Sequence, residues 1–331
     1  MQKKIIALAV AAAFSAPAMA ADVTVYGIAD AAITNISQTG KKSQLNVTSG
    51  GLSTSRLGVK ATEGLDNGMT AIAVLEFKLD IADTATTVGS SRQKMLALAG
   101  DFGTVAAGFL QTTAYDFSGK YQPFAGSAVD PYTAANPTSF ITTSSRAPRA
   151  VAYISPNFSG LTFAYNHTFD AAGTATLVPS GSTTANLTSA NLMSVNFDQG
   201  PLSVGGVYAG TANDNAGYAK VTEFGLGATY DLGAAKLMGT YLNTKASGGN
   251  ADKMMNFSVV APVGPGALVF GYAKNTKDST AAADNTSAFT VAFLKGMSKT
   301  VTAYGAVEKI STDGTTTTDT TVLAVGLRKK F

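Results

Sequence analysis

The chain has 331 residues, of which 45% are hydrophobic and only 14% are charged, whereas an ordinary soluble domain has about 25% charged residues. It contains no cysteine and one histidine, His167, which excludes disulfides and metal sites built from thiolates or several imidazoles. No cofactor is predicted. The formal net charge is only +3, so there is no electrostatic case for binding nucleic acid.

Residues 1–20 have the layout of an export signal. Lys3 and Lys4 are followed by an apolar run over residues 5–14 and by a small-residue segment that ends in Ala20, where a signal peptidase is expected to cleave. A membrane anchor fits less well, because a spanning helix needs about 20 apolar residues, and a buried N-terminal helix would not need the cleavage segment. We therefore expect a signal peptide at residues 1–20 and a single β-barrel domain at residues 21–331.

After the leader, apolar and polar residues alternate in segments of about ten residues, with the period of two that is typical of a half-buried β-strand. In the second segment Leu57 and Val59 share one face, while Arg56 and Lys60 share the other. Roughly sixteen such segments follow one another. The 34 glycines and the turn-forming residues between the segments indicate an all-β protein.

Two kinds of connection alternate between these segments. Short joints rich in Gly, Asn, Asp and Pro, typical of hairpin turns, lie at residues 65–68, 100–103, 156–158, 198–201, 231–233, 262–266 and 295–298. Longer polar segments lie at residues 35–51, 80–90, 111–145, 170–190, 211–218, 246–251, 275–284 and 311–319. A soluble sandwich scatters long and short loops over both ends, whereas an outer-membrane barrel has short periplasmic turns and long external loops. The sequence therefore predicts a transmembrane antiparallel up-and-down β-barrel of about sixteen strands.

The positions of the charged residues indicate which face of the barrel is wet. An Arg or Lys on the lipid-facing side of a strand costs about 2–4 kcal/mol at mid-membrane, so we expect Arg56, Glu76 and Lys78 to face the lumen. A barrel of about sixteen strands is also wide enough to leave an aqueous channel. Tyrosines near strand ends are expected to form aromatic girdles at the membrane interfaces. They are Tyr26, Tyr153, Tyr208, Tyr230 and Tyr272.

The order of several short motifs along the mature chain resembles that of Gram-negative general porins. They are Val23-Thr24-Val25-Tyr26-Gly27 with Asp30, Ser55-Arg56-Leu57-Gly58-Val59-Lys60, Leu75-Glu76-Phe77, Ser155-Pro156-Asn157-Phe158 and Val325-Gly326-Leu327-Arg328-Lys329-Lys330-Phe331. The resemblance implies a homotrimer in the cell outer membrane, through which ions and small hydrophilic solutes diffuse passively. It also implies that the barrel-assembly machinery reads Phe331, and that outer-membrane lipid and lipopolysaccharide surround the barrel.

The longest connection, residues 111–145, is expected to narrow the channel. A structureless loop of this length is uncommon unless it is functional or disordered, and in the resembling porins the third external loop folds back into the lumen. A floppy surface loop is the alternative.

Eight charged side chains are expected to line the constriction. The resemblance places three arginines on the barrel wall. Strand parity, the alternation that decides which face of a strand a side chain lies on, places two lysines and a glutamate on the same side. Two acids lie on the loop. They are Arg56, Arg92, Arg146, Lys78, Lys94, Glu76, Asp116 and Asp130. Because the basic groups outnumber the acids, we expect a weak preference for anions. Strand parity alone does not show whether Arg149 lines the pore.

Two other classes of protein are weighed against a channel. A barrel enzyme would need His167 as its general base, but no Gly-x-Ser-x-Gly elbow accompanies it, so no enzyme is predicted. A secreted adhesin or other β-rich surface protein is compatible with the low charge. A β-helix, however, would show a short fixed repeat, and the sequence has none beyond its hairpin rhythm.

Overall fold

The computed structural model describes residues 22–83, 89–135, 145–170, 188–213, 220–249, 251–277, 285–313 and 317–331, so the predicted leader lies outside the described residues. The strands are β1 Asp22–Gln38, β2 Gln44–Ser49, β3 Arg56–Gly64, β4 Thr70–Lys78, β5 Ser91–Gly100, β6 Gly103–Gln111, β7 Arg146–Ile154, β8 Leu161–Thr168, β9 Thr188–Gln199, β10 Leu202–Asn213, β11 Val221–Asp231, β12 Lys236–Ala246, β13 Ala251–Val263, β14 Gly266–Thr276, β15 Asn285–Gly296, β16 Val301–Asp313 and β17 Thr318–Lys330. Two helices, α1 Thr113–Lys120 and α2 Pro131–Ala135, lie in the third long connection. Among the described residues, no helix has the length and apolar character needed to cross a membrane.

The strands form one antiparallel sheet that closes on itself. The second half of β1 pairs with β17, with Ile33 opposite Val325, and its first half pairs with β3, with Val25 opposite Val59. Closure removes the open sheet edges that lipid cannot hydrogen-bond. The predicted antiparallel β-barrel is confirmed.

The seventeen strands occupy sixteen positions in the wall. β2 and β3 lie one after the other along the same edge of β1, where Thr48 pairs with Ala32 and Gly58 pairs with Tyr26. Residues 50–55, between these two strands, leave the wall and enter the lumen, and Leu52 is buried there. The predicted strand number is therefore confirmed, with one wall position divided in two.

The first connection is shorter than the sequence predicts. Residues 35–51 have the composition of a long polar loop, but β1 continues to Gln38 and β2 begins at Gln44. Thr34 and Thr48 are diagonal neighbours across this hairpin, with their hydroxyl oxygens 2.7 Å apart. Leu45 and Val47 of β2 alternate with polar residues and are exposed on the outer face, so the strand period continues within a segment whose overall composition is that of a loop.

The two faces of the wall differ as expected for a channel in a membrane. On β14, Val269 and Ala273 face inward and are 1% and 0% exposed, whereas Phe270 and Tyr272 face outward and are 36% and 38% exposed. The small inward side chains leave room for the third long connection, which packs on them, while the large outward ones offer apolar surface to lipid.

Tyr26 does not belong to an aromatic girdle. Tyr208 and Tyr230 lie on the outer face as expected, but the hydroxyl of Tyr26 donates to Glu76 Oε2 in the lumen, at 3.1 Å. Tyr26 has the same parity in β1 as the fully buried Asp30, so alternation itself turns it inward.

Candidate functional site

The third long connection folds back into the barrel and packs against one side of the lumen. Its aromatic residues Phe117, Tyr121, Phe124 and Tyr132 are at most 2% exposed. Phe117, Tyr121 and Tyr132 pack with inward-facing residues of β9 to β15, and Phe124 packs with those of β14 to β17 and β1. The loop is thus held on this side, and the passage lies between it and the wall of β3 to β7.

Glycines in the wall make room for Tyr121, one of the two buried tyrosines of the loop. A Cβ atom at Gly227 would lie 2.4 Å from Tyr121 Cδ2, and one at Gly205 would lie 2.5 Å from the Tyr121 hydroxyl. That hydroxyl donates to Asn196 Oδ1 at 2.9 Å. Tyr121 therefore occupies a slot that larger wall residues would fill.

Polar contacts fix both ends of α1. Thr112 caps its N-terminus, since its hydroxyl accepts from the Tyr115 N–H at 3.1 Å. The Thr113 N–H donates to Asn166 Oδ1 on β8 at 2.6 Å. At the other end Lys120 Nζ lies 2.7 Å from Asp198 Oδ2 on β9. The helix that faces the passage is therefore tied to the wall at two points.

Residues 50–55 support the tip of the loop on the side of β1, where Leu52 and Phe124 belong to one buried cluster. The Asp30 carboxylate accepts from the N–H groups of Leu52 and Ser53, at 3.1 and 2.8 Å. The segment in turn binds the loop, because the Thr54 N–H donates to the carbonyl oxygen of Gly126 at 3.0 Å and the Ala128 N–H donates to that of Gly50 at 3.1 Å. The interruption between β2 and β3 thus places residues 50–55, which we call the bracket, against the constriction loop, residues 111–145.

Three arginines and one glutamate lie together on the wall opposite α1. Glu76 Oε1 accepts from Arg92 Nε at 2.6 Å and lies 4.0 Å from Arg56 Nη1. Arg146 Nε donates to the carbonyl oxygen of Arg92, and Arg146 Nη1 donates to that of Ser145 at 2.6 Å. Two guanidinium groups thus share one carboxylate, and the third is held by carbonyl oxygens.

Tyr115, Asp116 and Lys78 complete the charged and aromatic lining. The Arg146 Cζ atom lies 5.6 Å from the centre of the Tyr115 ring, within the range of a cation–π contact. Asp116 is exposed, and its Oδ1 accepts from Gln111 Nε2. Lys78 pairs directly with Arg56 across β3 and β4, so both side chains leave the wall on the lumen side.

Lys94 does not line the lumen, contrary to the expectation from parity. It pairs with Leu75, an outward residue that is 49% exposed, and its Nζ lies over the ring of the neighbouring Phe77. The register between β4 and β5 shifts at Glu76 and Phe77, and such a bulge reverses the parity of the residues beyond it. The sequence pattern carries no mark of this bulge.

Asp130 does not face the arginines either. It is 3% exposed and lies at the start of α2, where it accepts from the Tyr132 N–H at 3.0 Å and the Thr133 hydroxyl at 2.8 Å. Burial raises the pKa of Asp130 to about 7, and the buried Glu308 of β16 lies close enough to interact with it electrostatically. The carboxyl group is buried and hydrogen-bonded within the loop itself, so Asp116 is the acid that the loop presents to the passage.

Arg149 and His167 have local partners away from this cluster. Arg149 has a positive φ of 48° in β7, and its Nη1 lies 2.7 Å from Asp170 Oδ2. His167 lies on the outer face of β8, where its Nδ1 is 2.9 Å from Asn191 Oδ1 and its ring packs against Phe169. An amide partner on a lipid-facing surface does not form the nucleophile–base pair of a hydrolase.

A closed barrel whose lumen is narrowed by an internal loop and lined by charged side chains is a transmembrane channel. A sequence profile described as "Gram-negative porin" matches residues 7–315 of this chain. The chain is 31% identical over 258 residues to outer membrane porin protein 32 of Delftia acidovorans, covering 74% of this chain and 70% of that protein.

Solved structures show the same fold. The barrel matches an anion-selective porin from Comamonas acidovorans with a TM-score of 0.80 and 24% identity, over 94% of this chain and 100% of that one. It also matches a trimer form of OmpT, an outer membrane protein of Vibrio cholerae, with a TM-score of 0.66 and 15% identity, over 94% and 100% of the two chains. The chain belongs to the Gram-negative porin family, and it is an outer-membrane channel for passive diffusion.

Proposed function

We propose that this porin prefers anions over cations and that the arginine cluster of the constriction carries this preference. One observation supports the proposal above all. Arg56 and Arg92 share the single carboxylate of Glu76, while Arg146 is held by main-chain carbonyl oxygens. Positive charge therefore exceeds negative charge where the passage is narrowest, and a field in a confined lumen is screened less than in bulk water.

The remaining residues of the constriction increase this excess. Lys78 adds a positive charge on the wall side and Asp116 a negative one on the loop side. With Lys94 outside the barrel and Asp130 buried behind the loop, four basic groups face two acids, Glu76 and Asp116. The expected selectivity is a severalfold preference, since an exposed charge about 8 Å from an ion contributes roughly 0.5 kcal/mol in water and more in a confined pore.

The reversal potential in a salt gradient tests the ion preference. The purified protein is inserted into a planar bilayer with a tenfold KCl gradient, and chloride is expected to carry most of the current. A reversal potential of the sign that potassium flux produces would refute the proposal. Replacing chloride with a larger organic anion in a second measurement separates charge preference from size exclusion.

We also propose that three copies of the chain assemble through the face formed by β1, β2 and β17. Ile33, Leu45 and Val325 are large apolar side chains exposed on this face, with Leu45 at 73%. One edge of β2 pairs with β1, and no described strand pairs with the other. The native mass in mild detergent is the test: a trimer supports the proposal, and a monomer that conducts normally contradicts it.

Export and assembly complete the proposal. Residues 1–20 would be removed as a signal peptide, so the mature protein is expected to begin at Ala21, which intact mass measures.

Phe331 would be the residue that the barrel-assembly machinery reads, with outer-membrane lipid and lipopolysaccharide around the finished barrel. The main chain of Phe331 helps to close the barrel by exchanging two hydrogen bonds with Gly27, of 2.9 and 3.1 Å. Phe331→Ser is expected to reduce the amount of assembled barrel in cells, whereas Lys330→Gln is expected to leave it unchanged.

A further inference from the structure

Three lysines form a row on the outer face of the barrel, near the ends of their strands that carry the long loops. Lys245 is the penultimate residue of β12, Lys253 is the third residue of β13, and Lys274 is the third from last in β14. All three are exposed, while their chain neighbours Met254 and Ala273 are fully buried on the lumen side. By strand alternation the three lysines point outward. We call this group the lysine row.

The strand register places these lysines close to one another. Lys245 pairs with Ala251, two residues before Lys253, and Lys253 pairs with Thr276, two residues after Lys274. Each lysine is thus a diagonal neighbour of the next, and diagonal neighbours in a sheet lie about 7–8 Å apart. Flexible lysine side chains at this spacing can converge, so that one multivalent anion contacts two ammonium groups at once.

The lysine row has no acidic partner within the part of the chain that the structure describes. None of its three ammonium groups lies within 4.0 Å of a described carboxylate. Four cross-strand partners of the three lysines are polar and lie on the same face, and all four are uncharged. They are Thr222, Asn243, Thr276 and Ser287. Like charges held this close repel one another, so the row is complementary to an external anion.

Lys309 differs from the row because its charge is balanced. It also faces outward near the long-loop end of its strand, since it pairs with the exposed Phe289. Its Nζ, however, lies 3.6 Å from Asp319 Oδ2. Lys309 is therefore a matched outward lysine whose charge is already balanced.

An apolar band continues directly from the lysine row toward the middle of the membrane. Met255, Phe257 and Tyr272 are exposed on the outer face of β13 and β14, and Met255 pairs with Lys274 itself. In an outer-membrane barrel the ends with long loops face the cell exterior, so the row lies at the level of the outer-leaflet headgroups. The surface is basic at headgroup level and apolar below it.

We propose that the lysine row binds the phosphate groups of a phosphorylated lipid of the outer leaflet, with the acyl chains of that lipid packed on the apolar band. Isolated lysines on a membrane surface extend to water by themselves, but three adjacent ones without acids raise the local affinity for anionic headgroups. The apolar band favours a lipid over a soluble anion. The proposal rests on the outer-membrane location and is independent of the ion preference of the lumen.

Native mass spectrometry of the detergent-purified protein tests the proposal, with lipid A carrying two phosphates as the probe. The variant K245Q/K253Q/K274Q is expected to bind this lipid on the order of 100-fold more weakly, at about fivefold per lysine. The charge-conserving variant K245R/K253R/K274R is expected to keep the affinity, and Lys309→Gln is expected to change it by less than about threefold. Lipid A without phosphates should bind the unchanged protein as weakly as the triple Gln variant binds the phosphorylated form.

Single-channel conductance of each variant shows that the barrel is folded, because the substituted side chains lie outside the lumen. Equal lipid affinity in the triple Gln variant and the unchanged protein would overturn the proposal, as would an equal loss in Lys309→Gln. Competition by millimolar inorganic phosphate alone would mean that the site takes free phosphate, which also overturns it. A channel that conducts but selects cations would contradict the proposed ion preference and leave the lipid result unaffected.

Discussion

Arg92 and Lys94 are separated by one residue on β5, yet their side chains leave the wall on opposite sides. Arg92 Nε lies 2.6 Å from Glu76 Oε1 in the lumen, whereas Lys94 Nζ lies 5.8 Å from the centre of the outward-facing Phe77 ring. Across β4, Glu76 pairs with Gln93 and Phe77 pairs with Ser91, so Arg92 is the extra residue of the bulge. This single irregularity decides which of the two cations reaches the passage.

Substitution of these two residues by glutamine is expected to have different effects on ion selectivity. Arg92→Gln removes a charge from the lumen and leaves the more distant Arg56 as the arginine beside Glu76, so the ratio of chloride to potassium permeability should fall by at least about twofold. Lys94→Gln removes the same charge from the outer face and should leave the ratio unchanged. Reversal potentials measure both variants. An equal fall in the two variants would mean that Lys94 lines the lumen after all.

Replacing Gly227 of β11, which leaves room for Tyr121, with a larger residue is expected to displace the constriction loop. A valine at position 227 would place atoms within the space that Tyr121 fills, and overpacking of this kind typically costs about 1–3 kcal/mol. Gly227→Val should therefore lower the free energy of unfolding by this amount and change the unitary conductance. Gly305→Val in β16 is the control, because a Cβ atom there meets nothing within 4 Å. Equal stability of the two variants would contradict the proposed fit of Tyr121.

Much of the fold could be predicted from the sequence, because alternation and turn composition report directly on which residues face lipid. The sixteen wall positions follow from that pattern. The extent of the β1–β2 hairpin does not, since the loop-like composition of residues 35–51 conceals that β1 continues to Gln38 and β2 begins at Gln44. Gly227 illustrates a second limit, because the reason for its small size is Tyr121, a residue that is distant in the chain and approaches the wall only in the folded barrel.

The candidate site could be predicted only in part. Parity and resemblance were sufficient to bring Arg56 and Glu76 to one side of the lumen. Parity failed for Lys94 because a bulge adds a residue without changing the composition of the strand. It offered nothing for Asp130, whose place behind the loop depends on the local fold of α2 and on the distant Glu308.

The bracket formed by residues 50–55 is expected to depend on Asp30. Its carboxylate accepts from Leu52 N–H, Ser53 N–H and the Tyr304 hydroxyl. Hydrogen bonds to a buried charged group contribute about 1.5–3 kcal/mol each, whereas a neutral one contributes about 1 kcal/mol. Asp30→Ala should therefore lower the free energy of unfolding by at least about 3 kcal/mol.

Tyr304→Phe is the milder companion of Asp30→Ala, because it removes one donor and keeps the carboxylate and both main-chain contacts. Its expected loss is about 1.5–3 kcal/mol, the contribution of one hydrogen bond to a charged group. Urea unfolding in detergent micelles, followed by tyrosine fluorescence and by circular dichroism, measures both variants. If Asp30→Ala unfolded at the same urea concentration as the unchanged protein, residues 50–55 would be held by the barrel wall and not by this carboxylate.

Docking of the loop tip is expected to weaken as the pH rises through 7. Burial raises the pKa of Asp130 to about 7, whereas an exposed aspartate titrates near about 3.9. A carboxyl group with a raised pKa in the docked state stabilises that state fully below about pH 4, and this contribution of up to about 4 kcal/mol is lost progressively as the pH rises to about 7. Above that pH the docked tip carries a buried negative charge close to Glu308.

Hydrogen exchange of the amides in residues 124–135, corrected for the intrinsic effect of pH, measures this dependence. Protection should be greater at pH 5 than at pH 8 in the unchanged protein. Asp130→Asn cannot ionise and should flatten the profile, while Asp116→Asn, which changes an exposed acid of the same loop, should leave it in place. Equal protection of the unchanged protein at both pH values would mean that Asp130 is charged throughout, and that the hydrogen bonds from Tyr132 N–H and the Thr133 hydroxyl offset its burial completely.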